Sequence, residues 1–340
     1  MKPNGCRVNL RKYGIWRFSA LTFSAIVLSS FFYLTPGWAQ TKPLARISIA
    51  TGGTGGIYYV MGGGIAALVS RYIPGVEATG EVTSASVDNC KLIMARKAEV
   101  GFAGADSIYD AYTGIGPFKS VGKMPLRTLA ALYPAVSQIV TVEGAGINTV
   151  QDLKGKRVST AAPGSGSELM ALRILEAVGI DPRKDIRRER LSVAESTGAI
   201  KDRKIDAFFW AGGVPTAAVM DLGSTPGIKI KLIAHDALIE KISTKYGPLF
   251  YRWVIPKEAY PGMTESVPTI VYANILFCHE QLEERIAYGI VKTIIEHREE
   301  LMAVHKEAEK LTLETAVTGS PIPFHPGAIK YYKERKAWKE

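Results

Sequence analysis

Residues 45–70 read ARISIATGGTGGIYYVMGGGIAALVS and predict a strand, a glycine loop and a helix in direct succession. Residues 47–50 alternate as in a strand, the run 52–56 breaks that pattern, and an apolar stretch of helix length begins at Ile57. Glycines let the backbone approach a ligand closely, and a helix start offers unpaired N–H groups with a partial positive charge. The stretch therefore predicts a cradle for an anion, although a flexible turn without a ligand also explains the glycines.

Two nucleotide-binding motifs do not fit this loop. A dinucleotide fingerprint of the form G-x-G-x-x-G, counted from Gly53 and Gly55, would need a third glycine where Tyr58 stands. A phosphate-binding P-loop would need a lysine after the glycines, and none follows. We therefore expect the loop to bind a small acid and not a nucleotide.

The N-terminus has the pattern of an export signal. Five basic residues precede the apolar run 18–34, which ends in TPGWA (35–39), and residues 1–39 contain no acidic residue. This pattern predicts a secretory signal peptide cut after Ala39, with an uncleaved membrane anchor as the alternative. We expect a periplasmic protein.

The remaining chain has an ordinary globular composition. Of its 340 residues, 47% are hydrophobic and 22% charged, and removal of the signal lowers the formal charge from +10 to +5. Its most basic segment, residues 183–190, also contains acidic residues, so no nucleic-acid partner is expected. Cys90 and Cys278 stay in the mature chain, and we expect two buried thiols, with one disulfide as the alternative.

Strands and helices alternate along the rest of the chain, which predicts a largely parallel sheet with helical crossovers. A helix is also expected over residues 282–297, another from residue 301, and a short basic helix at the end of the chain. Further strands are predicted at residues 75–83, 100–105, 126–133, 138–142, 157–161, 186–192, 205–210, 228–234 and 269–278.

Further helix starts repeat the pattern of the opening stretch. The run PGSGSE (163–168) begins a helix after a strand, and Ser165 with Glu168 forms a capping box that explains this start without a ligand. Ser84 or Ser86 is expected to cap the helix after the second strand. Residues 212–215, GGVP, begin another helix with proline in its first turn. Because ligands of open α/β sheets bind beyond the carboxyl ends of the strands, these starts predict a cleft between two lobes.

Eight stretches that span nearly the whole mature chain carry a family resemblance. They are ATGGTGGIYYVMGG (50–63), TSASVDN (83–89), LYP (132–134), DLKGKRVSTAAPGSGSE (152–168), IDAFFWAGGVPTAAV (205–219), AYPG (259–262), VPT (267–269) and PIPFHPGAIKYY (321–332). In this order they resemble the TAXI family, the solute-binding proteins of TRAP transporters.

The resemblance implies an α/β protein with the two-lobed periplasmic-binding-protein fold (type II-like), a hinge of two strands and a ligand cleft between the lobes. Lobe 1 would comprise residues 40–137, lobe 2 residues 138–268, and residues 269–340 would supply a return strand and C-terminal helices that complete lobe 1. Such a receptor, expected as a monomer, captures a small organic acid, either a dicarboxylate or an amino acid such as glutamate. It closes its lobes on the acid and delivers it to the membrane subunits of a TRAP transporter.

The resemblance also implies which residues contact the ligand. They come from the glycine loop, the second helix start, the strand near the hinge and two loops of lobe 2. The expected contacts are Gly53, Thr54, Gly55, Tyr58, Ser84, Ser86, Asn89, Tyr133, Gly164, Ser165, Gly166, Ser167, Trp210 and Gly213.

One departure from the family concerns the third strand. The family commonly has Gln-x-Asp at its end, and this chain has Gly104-Ala105-Asp106. Asp106 is then the one acidic candidate of the pocket, and the missing amide puts glutamate as the ligand in doubt. Because no arginine falls on the candidate loops, we expect backbone N–H groups, hydroxyls and helix dipoles to hold the acid.

An enzyme is the main competing class, since two-lobed α/β proteins often have active sites in the same cleft. The five histidines show no H-x-x-x-H spacing, no G-x-S-x-G motif occurs, and neither mature cysteine lies on a glycine loop. No catalytic residue, metal or cofactor is therefore expected.

A ligand-sensing periplasmic subunit of a signalling receptor would use the same fold, and the sequence leaves that alternative open.

Overall fold

A computed structural model describes residues 45–339, which belong to one compact unit, Lys42–Glu340. The predicted signal peptide, residues 1–39, lies outside the described residues. Between residues 45 and 339, no helix has both the length and the apolar character needed to cross a membrane.

Within these residues, ten strands form one mixed sheet. The strand order is β2-β1-β3-β10-β4-β7-β5-β6, with β8 on β4 and β9 on β10. In chain order the strands are β1 (Ala45–Ala50), β2 (Val76–Glu81), β3 (Val100–Gly104), β4 (Leu126–Val142), β5 (Arg157–Ser159), β6 (Arg187–Glu189), β7 (Ala207–Gly212), β8 (Ile230–Leu232), β9 (Tyr251–Ile255) and β10 (Val267–His279).

Helices connect these strands and cover both faces of the sheet. The described residues contain α1 (Ile57–Tyr72), α2 (Ser86–Met94), α3 (Ala105–Thr113), α4 (Gly166–Ala177), α5 (Val193–Lys201), α6 (Ala217–Gly223), α7 (Ile239–Tyr246), α8 (Glu284–Glu296), α9 (Arg298–Val304), α10 (Leu313–Ala316) and α11 (Pro326–Glu334).

The two longest strands, β4 and β10, lie side by side in the middle of the sheet. Beyond them on one side lie β1, β2 and β3, which with α1, α2, α3 and α8–α11 we call the first half. On the other side lie β5, β6, β7 and β8, which with α4–α7 we call the second half. The predicted α/β fold is confirmed. The exact limits of the two lobes stay predictions.

The sheet is less parallel than the sequence predicted. Pairs β1–β2, β1–β3, β5–β6 and β5–β7 are parallel, whereas every pair that involves β4 or β10 is antiparallel. The strands predicted at 126–133 and 138–142 are one strand, β4. Pro134 lies within it, opposite Ala273, where the β10–β4 register shifts between Ala273 and Ile275. A proline lacks the N–H that a regular ladder needs, so an irregular position accommodates it.

Helix α1 shows why the opening stretch folds as it does. Its buried residues include Ile57, Met61, Ile65 and Leu68, whose spacing of three or four places them on one face. A Cβ at Gly62 would overlap the Thr51 side chain, so glycine lets α1 pack closely on the end of β1. Both predicted thiols, at Cys90 and Cys278, are free and buried, which confirms that expectation.

Candidate functional site

A cavity of about 300 Å³ lies between the two halves. Its lining includes the glycine loop after β1 and the loop after β2 from the first half, and the loops after β5 and β6 with the end of β7 from the second half. Eleven of the fifteen predicted site residues line this cavity, namely Gly53, Thr54, Gly55, Tyr58, Ser84, Ser86, Tyr133, Ser165, Gly166, Ser167 and Trp210.

Four helices begin at the cavity wall. The lining contains the cap and the first residue of α1 and α2 from the first half and of α4 and α5 from the second half. The first N–H groups of a helix have no partner within the helix, and its start carries about half a positive charge. The cavity is therefore surrounded by positive ends of helix dipoles from both halves.

The glycine loop brings the two halves into contact. The N–H of Gly56 donates to the Gly53 carbonyl, 2.9 Å away, which shapes the turn before α1. A Cβ at Gly55 would lie 3.2 Å from the Cβ of Ala194, and a Cβ at Gly56 would lie 3.2 Å from the Trp210 ring. Small residues at these positions allow the loop to approach the second half closely.

The start of α2 differs from the sequence prediction, which made Ser84 or Ser86 its cap. Ala85 occupies the capping position with a φ of 81°, and no side chain accepts a hydrogen bond from the first turn. Ser86 is the first helical residue, and its Oγ accepts a hydrogen bond from the Gly104 N–H at 3.2 Å. The N–H groups of Ser86 and Val87 at this start therefore lack a side-chain cap and are available to a ligand, whereas that of Asp88 donates to the Gly164 carbonyl.

The start of α4 is capped as predicted. Ser165 Oγ accepts from the N–H of Glu168 at 3.0 Å and donates to the Ala162 carbonyl at 2.7 Å. The capping box is incomplete, because the Glu168 carboxylate accepts from the Gly164 N–H and not from Ser165. A Cβ at Gly166 would lie 2.6 Å from Ser86 Oγ, so glycine is required where α4 meets the first half.

Trp210 and Ser167 are held by hydrogen bonds inside the second half. Trp210 Nε1 donates to Thr216 Oγ1 at 2.8 Å, and Ser167 Oγ accepts from the Ala211 N–H at 3.0 Å. The helix predicted to begin at residues 212–215 begins later, at Ala217. Thr216 stands before it and donates its hydroxyl to the Gly213 carbonyl, so the proline precedes the helix and is not in its first turn.

Four predicted site residues lie outside the cavity lining. Asn89 donates from Nδ2 to the carbonyls of Ala50, Thr51 and Phe102 and so joins α2 to β1 and β3. Two glycines make close packing contacts: Gly164 faces the Asp88 carboxylate, and Gly213 faces Ile57 and Glu307. The fourth, Asp106, is fully buried in an ion pair.

Asp106, the one acidic residue predicted for the pocket, is bound in an ion pair outside the cavity lining. Arg173 Nη1 lies 2.7 Å from Asp106 Oδ2, and its Nη2 lies 2.6 Å from Asp110 Oδ2. Asp106 Oδ1 accepts from the Ser107 N–H at 2.7 Å. Burial raises the pKa of Asp106, and the Arg173 guanidinium opposes that shift. The sequence prediction missed this arrangement because α3, which carries both aspartates, was not predicted.

Sequence reasoning also missed polar residues on the cavity floor. Asn274 lies on β10, and its Oδ1 accepts the hydroxyl proton of Tyr58. Tyr272 lies two residues earlier on the same strand and also lines the cavity. Burial raises the pKa of the hydroxyls of Tyr58, Tyr133 and Tyr272 well above the ordinary value, so all three stay protonated. The sequence did contain a signal for this floor, namely two polar residues, two positions apart, in an otherwise apolar strand.

The lining is uncharged. Among the described residues that line the cavity, none is Asp, Glu, Lys, Arg or His. Across residues 45–339, no group of three or more His, Cys, Asp or Glu side chains could hold a metal ion. The arrangement can bind a ligand through N–H groups, hydroxyls, one amide and apolar walls.

Comparison with known proteins places the chain in a family. A protein of known structure from Bordetella bronchiseptica RB50 is 17% identical and matches with a TM-score of 0.52 over 85% of this chain and 89% of that one. The periplasmic aliphatic sulphonate binding protein of Escherichia coli is 16% identical and matches with a TM-score of 0.42 over 85% of this chain and 82% of that one. The model of the NMT1-like family matches residues 49–335. The chain therefore belongs to the NMT1-like family.

Proposed function

We propose that this protein is an extracytoplasmic solute-binding receptor that captures a small organic acid in the cavity between its two halves. One observation carries the proposal: four helix starts, two from each half, line a cavity without charged side chains. Helix starts favour anions through their free N–H groups and partial positive charge. A small carboxylate is an anion that such a site can hold without an arginine or lysine.

Contacts between the halves support capture by closure. The Asp88 N–H donates to the Gly164 carbonyl at 3.2 Å, which joins α2 to the loop before α4. On another side of the cavity, Gly56 lies against Trp210. A ligand that touches both halves would make all of its contacts only when the halves are closed. It would therefore bind the closed state more tightly and shift the equilibrium between open and closed states toward closure. The strands β4 and β10 would serve as the hinge.

Delivery to a TRAP-type transporter is the finer part of the proposal. It is supported by the eight stretches that resemble the TAXI family, from residues 50–63 to residues 321–332. An acid-binding enzyme is disfavoured by the uncharged lining. Genes for TRAP membrane subunits beside this gene, and uptake of the bound acid by vesicles that contain those subunits, would test this part separately.

The binding part is tested with purified mature protein. Native mass spectrometry would identify a retained solute, and calorimetry with a set of small carboxylates would measure affinity. We expect binding to at least one carboxylate and no dependence on added zinc or calcium. Binding confined to sugars, amines or metal ions would contradict the proposal.

A further inference from the structure

We propose that the cavity selects acids that carry no ammonium group, so that it binds a 2-oxo or 2-hydroxy acid in preference to the amino acid with the same skeleton. The inference rests on the proposed function, since it names the class of acid for that cavity. The observation behind it is that no carboxylate reaches the lining.

The helix starts act against an ammonium group. In an amino acid the ammonium is attached to the carbon next to the carboxylate, so the two groups lie within a few bonds of each other. A carboxylate held at the starts of α1, α2, α4 or α5 therefore brings the ammonium close to the same positive helix ends. The field that stabilises the carboxylate then destabilises its neighbour, and an opposite charge from the protein would be needed to offset this.

Two carboxylates beside the cavity are already paired. Asp106 lies behind the lining and is fully buried in its ion pair with Arg173. Glu168, near the start of α4, accepts hydrogen bonds from Arg188 and Arg190 at 2.6 Å each. The charge of the Asp106 carboxylate is thus already opposed by one guanidinium and that of Glu168 by two. Neither group can therefore balance the charge of a ligand's ammonium.

Three further carboxylates near the cavity are also outside the lining, and one of them, Glu195 in the first turn of α5, accepts the Ser192 N–H at 2.8 Å. Glu307 is buried near Gly213 and binds the Lys310 ammonium at 2.9 Å. Asp88 faces Gly164 in the first turn of α2. An ammonium in the cavity would thus meet hydroxyls, backbone carbonyls, the Asn274 amide and aromatic rings, none of which carries a negative charge to balance its own.

Neutral oxygens fit the floor of the cavity better. Asn274 Nδ2 on this floor is buried and has no hydrogen-bond partner among the described residues. The side chains of Tyr133 and Tyr272 are also buried, and both line the cavity. Their raised pKa values keep them protonated, so each can donate to a keto or hydroxyl oxygen. A 2-oxo or 2-hydroxy acid supplies such an oxygen beside its carboxylate, at the position where an amino acid has its ammonium.

Calorimetry with matched pairs tests this selection on the purified mature protein. The pairs are pyruvate and alanine, 4-methyl-2-oxopentanoate and leucine, and 2-oxoglutarate and glutamate, which differ in the group at carbon 2 and cover three sizes. For any pair that binds, we expect the oxo acid to bind roughly ten- to a hundredfold more tightly. An amino acid that binds as tightly as its oxo acid, or more tightly, would overturn the inference and leave the proposed function intact. If no acid of any kind binds, the proposed function itself fails.

A variant with an added carboxylate provides a second test. Ser84 lines the cavity beside the start of α2, and Ser84→Asp would place a negative charge there, with Ser84→Asn as a control of equal size. We expect Ser84→Asp to shift the ratio of affinities toward the amino acid by about tenfold, and Ser84→Asn to leave the ratio near that of the wild type. Equal ratios in the two variants would contradict the proposal. If the aspartate variant does not fold, as judged by its melting temperature, the wild-type ratios decide the question.

Discussion

Arg173 and Asp106 form a buried ion pair that joins the two halves of the protein, with 2.7 Å between Nη1 and Oδ2. Arg173 lies on α4 in the second half, and Asp106 lies on α3 in the first half. The guanidinium also contacts Asp110 and lies over the ring of Tyr246, 4.3 Å from its centroid. The Arg173 side chain is 2% exposed, so this cluster is held out of water between the halves.

We expect Arg173→Met to lower the free energy of unfolding by about 3–5 kcal/mol, because it leaves two buried carboxylates without a partner. Urea unfolding of the mature protein would measure the loss. Arg157→Met is the matched control, since Arg157 and Asp206 form an ion pair whose side chains are 39% and 24% exposed. Removal of a pair of that exposure should cost roughly 1 kcal/mol or less. Equal losses in the two variants would show that burial of the Arg173 cluster does not matter.

The cluster also predicts a dependence of stability on pH. Burial raises the pKa of Asp110 from 3.8 to about 6, Arg173 opposes that shift, and the Asp106 carboxylate adds to it. A carboxyl whose pKa is higher in the folded than in the unfolded state stabilises the fold at low pH. This contribution is complete below about 3.8 and is lost as the pH rises through 6.

The variant Asp110→Asn isolates this contribution, because the amide does not titrate. We expect the difference in unfolding free energy, wild type minus variant, to fall as the pH rises from 4 to 7. Urea unfolding at unit steps of pH would measure it, and the subtraction removes the effect of titrating groups that do not interact with Asp110. A difference that is constant or rises over this range would contradict the prediction.

A substitution at Gly166 would test whether close approach of the two halves is needed for binding. A side chain there would meet Ser86 Oγ at 2.6 Å, so Gly166→Val should hold α4 away from the first half. We expect acid affinity to fall at least tenfold and the ligand-induced compaction in small-angle scattering to disappear. Gly198→Ala is the control: it lies within α5 and no atom lies within 4 Å of an added Cβ. It should leave affinity unchanged and stabilise the fold by about 0.5–1 kcal/mol. Wild-type binding by Gly166→Val would exclude contact of the ligand with both halves.

His235 should remain uncharged to unusually low pH. Its Nδ1 lies 2.8 Å from the Ile233 carbonyl, and its Nε2 lies 3.0 Å from the hydroxyls of Ser137 on β4 and Thr269 on β10. Burial lowers its pKa from 6.5 to about 4. A lowered pKa stabilises the fold above 6.5, and that stability is lost as the pH falls toward 4. NMR titration of the imidazole nitrogens would measure the pKa, and a value at or above 6.5 would contradict the prediction.

The sequence predicted those parts of the site whose structure is determined by residues close together in the chain. The glycine loop, the Ser165 cap and the helix starts follow from residues within a few positions of each other, and eleven of fifteen expected residues line the cavity. The floor could not be predicted in the same way. Asn274 and Tyr272 reach it because β10 pairs with β3 and β4, and that register depends on contacts between distant segments.

The role of Asp106 shows the same limit. The sequence predicts that Asp106 comes directly after a strand and lies in the pocket wall. In the structure it instead pairs with Arg173, which is 67 residues away in the chain. The pairing depends on how α3 packs against α4, which no local pattern records. Likewise, the two strands predicted on either side of Pro134 are one strand, because the irregular pairing with β10 at Ala273 accommodates the proline.

The position of β10 sets the order in which this protein can be completed. It lies between β3 and β4, yet residues 267–279 are synthesised long after both of its neighbours. Until they emerge, the facing edges of β3 and β4 have no strand between them, and the first half has no continuous connection to the sheet of the second half. Pairings between such distant segments form slowly, and open strand edges invite association with other chains. A chain that stops before residue 267 would therefore lack the central strand and expose two unpaired strand edges. The last quarter of the sequence is thus needed for the two halves to fold as one sheet.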